Sequence, residues 1–143
     1  MRLSVKARRV PGRLASGAFI LHSGLEKWTG NEQQAMGIHG MASGAYPFLK
    51  DIPPKRFLRM LSIAEISLGT ALLVPAIPAA LAGGALTAFA SGLLTMYWRT
   101  PGMRKPGSVW PTREGLTISK DVWMLGIGVG LLADAAEEVV RRR

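Results

Sequence analysis

The sequence predicts an all-α integral membrane four-helix bundle, and three observations carry that prediction. Hydrophobic residues make up 48% of the 143 residues, and the mean hydropathy is +0.21, which is greasy for a soluble domain of this size. The apolar residues gather into four stretches near the length of about 20 residues that a helix needs to cross a hydrocarbon core of about 30 Å. The formal net charge of +9 sits in terminal and connecting segments, where basic side chains meet anionic headgroups. Examples are Arg2, Lys6, Arg8 and Arg9 at the start, Arg99, Arg104 and Lys105 in a loop, and Arg141 to Arg143 at the end. Four spans with short connections use nearly the whole chain, so residues 1–143 read as a single transmembrane domain.

The first span is expected over about 11–28. Pro11 suits a first helical turn and Trp28 an interfacial aromatic belt. The basic start and the run Ala18-Phe19-Ile20-Leu21 imitate a secretory signal. Arg13 and His22 bracket that run and no small-residue cleavage site follows, so the segment reads as a retained span. Residues 31–51 are apolar but short and broken by glycine, which predicts an interfacial or re-entrant helix. The second span, about 57–74, follows Pro53-Pro54. The uncharged turn Pro75-Ala76-Ile77-Pro78 then sets the third, about 79–98, antiparallel beside it. A polar loop over Arg99–Gly115 leads to the fourth, about 118–133. Small residues mark helix contacts in lipid: Gly83, Gly84, Ala88 and Gly92 on the third span, and Gly126 with Gly130 on the fourth. The run Gly126-Ile127-Gly128-Val129-Gly130 lacks the preceding strand of a dinucleotide fingerprint.

Several function classes drop out. The chain has no cysteine, which excludes disulfides, thiolate metal sites and thiol–disulfide catalysis by this chain itself. Its basic charge is split among segments that a membrane would separate, so it offers no contiguous face for nucleic acid. No Ser–His–Asp arrangement, Walker loop or paired-histidine heme site stands out. His22, Glu26, His39 and Glu65 do not amount to a metal site, because a His-x-x-x-Glu spacing is common and His39 falls in the least regular segment.

Polar residues inside the spans are the remaining signal. Glu65 interrupts an apolar stretch where a carboxylate costs on the order of 3 kcal/mol to insert, so it is expected to have a partner or a task. Antiparallel threading puts His22, Glu26, Lys27, Arg59, Glu65, Arg99, Lys120 and Asp121 toward one end of the bundle. By helical rise, Glu65 lies roughly 12 Å inside Phe57 and His22 roughly 9 Å inside Trp28. The candidate polar intramembrane site is therefore His22, Glu26, Lys27, Glu65, Lys120 and Asp121. It suits a quinone headgroup, a proton or a small anion. The plainer reading is that Glu65 pairs with Lys27 or Lys120 and pins helix packing. At the other end, Arg13 and Asp134 are expected to pair as a latch.

These residues also resemble a known family. Arg13-Leu14, Gly17, Phe19, Gly24 and Lys27 are followed by Pro53-Pro54, then Ala64-Glu65-Ile66 with Gly69, and finally Lys120-Asp121 ahead of Leu125-Gly126. In this order and spacing they are similar to the DoxX-like family of small four-helix bacterial membrane proteins, over about Arg13 to Ala133. The resemblance implies a bundle in the cytoplasmic membrane with both termini cytoplasmic, and an association with quinone-linked or oxidative-stress redox chemistry. It carries the family's polar positions onto Lys27, Glu65, Lys120 and Asp121. The Arg99–Gly115 loop departs from the pattern in being longer and more basic, as a docking element for a protein partner would be. The expected function is an accessory or anchoring subunit of a membrane redox or oxidative-stress complex. A quinone-linked oxidoreductase subunit with its site around Glu65 is the alternative, and a small transporter a further one. The lipid bilayer is the first partner, contact with a protein through that loop or the termini the second. Oligomerisation is compatible with the sequence.

Overall fold

The computed structural model describes residues 6–143, so that Arg2 of the basic N-terminal segment lies outside them. Among the described residues the chain is all-helical, and an isolated bridge between Arg104 and Pro111 is its only extended pairing. The helices are α1 (Val10–Trp28), α2 (Glu32–Ala45), α3 (Pro54–Leu73), α4 (Ala79–Arg99), α5 (Leu116–Ser119) and α6 (Val122–Arg141), with 3-10 turns at Ala7–Arg9 and Pro47–Asp51. Local chemistry sets several boundaries. Asn31 caps α2 by accepting from the Gln34 backbone N–H at 2.8 Å, which satisfies a donor that the first turn leaves unpaired. Pro54 opens α3 and Pro78 precedes α4, positions where a missing N–H costs the helix nothing.

The bundle is built from two antiparallel helix pairs, each closed by glycine. In the α1–α3 pair, a Cβ on Gly69 would come within 2.6 Å of the Leu21 backbone nitrogen, and one on Gly24 within 2.8 Å of the Ile66 nitrogen. Such close approach lets Ser62, fully buried on α3, donate to the Gly24 carbonyl at 2.7 Å. In the α4–α6 pair, a Cβ on Gly83 would come within 2.8 Å of the Leu131 Cβ, and one on Gly128 within 2.8 Å of the Thr87 nitrogen. The expected Gly126/Gly130 contact is thereby corrected. Both have open space around them, and Gly128, on the opposite side of the helix, is the buried one.

The two pairs meet over a core of Ile20, Leu68, Leu72, Ala82, Leu86 and Leu131. That core lies toward the end that carries the termini. There Gly12 abuts Ile127, Arg8 and Arg9 both bind Asp134, and Arg9 Nη2 reaches Glu138 at 3.0 Å. The Arg13–Asp134 latch does not form. Arg13 instead turns inward, 7% exposed, and donates to the carbonyls of Leu72 (2.7 Å), Ala71 (2.8 Å), Val74 (2.9 Å) and Ile77 (3.0 Å). The last turn of α3 leaves the Ala71 and Leu72 carbonyls without helical donors, and one guanidinium fork serves them together with the Val74 and Ile77 carbonyls of the following turn.

At the opposite end, hereafter the loop end, the segment expected to be interfacial or re-entrant forms α2, which leans on α3 and α4. A second cluster of Ala42, Ala45 and Met96 holds it there, supported by Tyr46, Leu49, Phe57 and Ile118. Tyr46 Oη donates to the Gly92 carbonyl at 2.7 Å. The last helix differs from the expected span over 118–133: a turn at Lys120-Asp121 separates α5 from α6, and α6 then runs on to Arg141. Its acidic last turns are matched by Lys6, Arg8 and Arg9, so the helix continues where its apolar run stops.

Two segments, α4 and the stretch Leu116–Arg141, are long and apolar enough to cross a membrane. Helices α1 and α3 have comparable lengths of 19 and 20 residues but carry Arg13, Glu26 and Lys27, and Lys55, Arg56, Arg59 and Glu65.

Candidate functional site

Between the two core clusters, where the helix pairs are not in contact, lies a cavity of about 590 Å³. Its walls are mostly apolar, with Ile20, Leu61, Phe89, Leu93 and Met124 among them. The polar groups collect on Ser23, Lys27, Glu65 and Asp121, with Tyr46 and Thr117 nearby.

Helical periodicity explains the convergence on α1. Ser23 and Lys27 are four apart and share a face, and that face meets Glu65 across the glycine-tight crossing. Lys27 Nζ binds Glu65 Oε2 at 3.0 Å, Glu65 Oε1 at 3.2 Å and Ser23 Oγ at 2.6 Å. Ser23 Oγ donates to Glu65 Oε2 at 3.2 Å. Glu65 is 6% exposed, and the Lys27 side chain is also largely covered. Two charges removed from water are tolerable when each is paired and its remaining hydrogen-bonding capacity is used, and both conditions hold here.

Of the six residues expected at this site, the fold brings together Lys27, Glu65 and Asp121. His22 and Glu26 do pair, at 3.4 Å, but with side chains 72% and 66% exposed on the outer face of α1. Lys120 is exposed and also outside the cavity. The depth estimate selected the correct level of α1 but the wrong neighbour. Ser23, one residue on and turned by about 100°, occupies the place expected for His22. Adjacent Lys120 and Asp121 cannot both face inward, and Asp121 does. His39 is part of α2, where Nε2 lies 2.8 Å from the Leu49 carbonyl and the ring packs edge-on against Phe57. Among the described residues no group of three histidines, aspartates or glutamates is placed to hold a metal ion.

No family model, curated protein or solved structure matches this chain. Its site therefore has to be read from its own geometry.

The cavity opens sideways. Phe19 of α1, Met41 of α2 and Ala88 of α4 all line it and are all exposed. By helical rise, Phe19 lies roughly 13 Å along α1 from Trp28, and Ala88 roughly 15 Å along α4 from Trp98. On α1 and α4 the opening thus lies near the middle of the helices, and the exposed lining residues Gly37 and Met41 of α2 and Thr117 of α5 extend it toward the loop end. All four tryptophans (Trp28, Trp98, Trp110 and Trp123) belong to segments at the loop end, and all are exposed. Arg59 stacks over Trp28 and Arg104 over Trp98, each at 3.8 Å. The Arg99–Gly115 loop is braced internally. Tyr97 Oη donates to the Val109 carbonyl at 2.6 Å, and backbone bonds join Lys105 to Trp110 and Thr112 to Met103 at 2.9 Å. Its tip presents Val109 and Trp110 outward.

Proposed function

We propose that the chain is an integral membrane four-helix bundle of DoxX-like type whose cavity holds the polar head of a quinone-like amphiphile. The observation that carries this reading is the Ser23–Lys27–Glu65 group, with Asp121, in a largely apolar cavity that is open at mid-helix depth at Phe19 and Ala88. Ligand sites commonly have this makeup of apolar walls with a few convergent polar groups, at volumes of roughly 300–1,000 Å³. The membrane setting is supported by α6, of whose 20 residues only Gly128 and Leu131 are buried. Trp123, Val129, Val139 and Val140 are left outward, a large apolar surface for a helix facing water. Of the charges on α1 and α3, Arg13, Lys27 and Glu65 are satisfied internally, and the exposed Glu26, Lys55, Arg56 and Arg59 lie in the turns of these helices nearest the loop end.

The redox assignment rests on the sequence resemblance. In that setting the protein is an accessory subunit that presents a lipid-soluble carrier to a membrane redox or oxidative-stress complex in the cytoplasmic membrane, with both termini cytoplasmic. A purely anchoring subunit is the second reading, favoured by the braced basic loop with its Val109–Trp110 tip.

Purification in native lipid followed by mass spectrometry separates the two. A quinone at about one per chain, lost when Ala88→Trp narrows the mouth, is the expected result. A stoichiometric protein partner with an empty cavity would sink the amphiphile reading and leave the anchor.

A further inference from the structure

Among the polar groups that line the cavity, every side-chain donor but the Thr117 hydroxyl is committed, while one carboxylate is free. Lys27 Nζ makes three contacts, to Ser23 Oγ and to both oxygens of Glu65, and an ammonium has three N–H groups to give. The Ser23 hydroxyl donates to Glu65 and the Tyr46 hydroxyl to the Gly92 carbonyl. Thr117 alone among the lining side chains keeps an uncommitted hydroxyl. Asp121, by contrast, makes no side-chain hydrogen bond or ion pair among the described residues, and it caps no N–H of α6. Lys27, Glu65 and Asp121 together carry a formal charge of −1.

We infer that the cavity selects a headgroup that donates hydrogen bonds, so that of a quinone/hydroquinone couple it takes the hydroquinone. This inference rests on the amphiphile reading above. A quinone carbonyl can only accept, and would meet a bare carboxylate with the neutral Thr117 hydroxyl as the one uncommitted side-chain donor. A hydroquinone O–H donates to Asp121, and a hydrogen bond to an ionised acceptor is roughly twice as strong as one between neutral groups. An unpaired carboxylate against apolar walls is itself costly, and the ligand's O–H relieves that cost. Anionic heads are disfavoured by the negative balance of the site. The sideways mouth at Phe19, Met41 and Ala88 lets a tail leave into the apolar surroundings while the ring occupies the cavity.

The test is equilibrium binding of decyl-ubiquinol and decyl-ubiquinone, under anaerobic conditions, to the full chain in phosphatidylcholine nanodiscs. Reductant is confined to the ubiquinol arm, where the chain has no cysteine for it to alter, and is left out of the ubiquinone arm so that the oxidised form persists. Ubiquinol is expected to bind at least about ten-fold more tightly, and decanoate, a chain of similar length with an anionic head, not to compete. Asp121→Asn puts an amide donor in place of a carboxylate oxygen and is expected to erase or invert the preference, while Asp121→Glu retains it. Equal binding of the two forms, tighter binding of ubiquinone, or an Asp121→Asn variant of unchanged preference would overturn the inference and leave the amphiphile reading standing. Failure of both forms to bind would overturn the two together.

Discussion

Lys27 and Arg13 show how one helix can carry two cations into the interior by different physical routes. Lys27 is neutralised by a carboxylate, whereas Arg13 is solvated by four carbonyl dipoles at the end of α3 and in the turn after it. The distinction matters for substitution. Removing one member of a buried ion pair leaves the other charge uncompensated and typically costs about 3–5 kcal/mol. Lys27→Met is therefore expected to lose that amount, since Glu65 then keeps only the Ser23 hydroxyl. Adding Glu65→Gln removes the stranded charge, so the double variant should recover most of the loss. Unfolding by sodium dodecyl sulfate titration in mixed micelles reads both. A double variant as unstable as the sum of the single ones would mean that shape, not charge, sets the value of the pair.

At the scale of elements, each helix pair depends on a few glycines that bring two backbones together, and neighbouring glycines are spectators. Gly69→Ala would push a methyl to 2.6 Å from the Leu21 nitrogen, and backbone cannot yield as a side-chain tip can. The α1–α3 pair must then separate, which also moves Lys27 away from Glu65. Gly126→Ala and Gly130→Ala meet open space and remove a poor helix former, so each is expected to be neutral or to stabilise by up to about 1 kcal/mol. Far-ultraviolet circular dichroism melts of the three variants check the contrast, and a Gly69→Ala melt like the parent's would refute it. The number and order of the long helices were legible in the sequence because apolar run length, proline and turn composition are local signals. The rotation of each helix was not. Polar residues lie on several faces of α1, so depth could be estimated from rise while the choice between His22 and Ser23 depended on which face meets α3. Ser23 had one available sign, its place four residues before Lys27. Gly128 was passed over for the regular pair around it, because a spacing of four says that two residues share a face and not which face is packed. Arg13 was paired with the nearest acid at its end of the bundle, although a buried guanidinium is equally served by carbonyls that carry no mark in the sequence.

For the molecule as a whole, the informative quantity is exposed apolar surface rather than the distribution of charge between the two ends. The positive residues do not decide orientation, since both ends are basic: Lys6, Arg8, Arg9 and Arg141 to Arg143 lie at one, Lys55, Arg56, Arg59, Arg104 and Lys105 at the other. The tryptophans gather at the loop end, which suits that end to an interface. If the four long helices cross a bilayer, the Arg99–Gly115 loop and the C-terminus must emerge on opposite sides, because only α6 separates them. The absence of native cysteine makes this directly measurable with single cysteines at Val109, Val129 and Arg143 and a membrane-impermeant maleimide applied to intact cells. Val109→Cys is expected to react from outside, and Arg143→Cys only after the membrane is opened. Val129→Cys, exposed on α6 but surrounded by lipid in this reading, is expected to stay unreacted in both conditions until detergent or denaturant is added. A reversed pattern at the two ends would keep the bundle and flip its orientation. Labelling of Val109 and Arg143 from the same side would exclude a crossing by α6. Ready labelling at Val129 before solubilisation would mean that its face meets water, and the exposed apolar surface would then call for a protein partner in place of a bilayer.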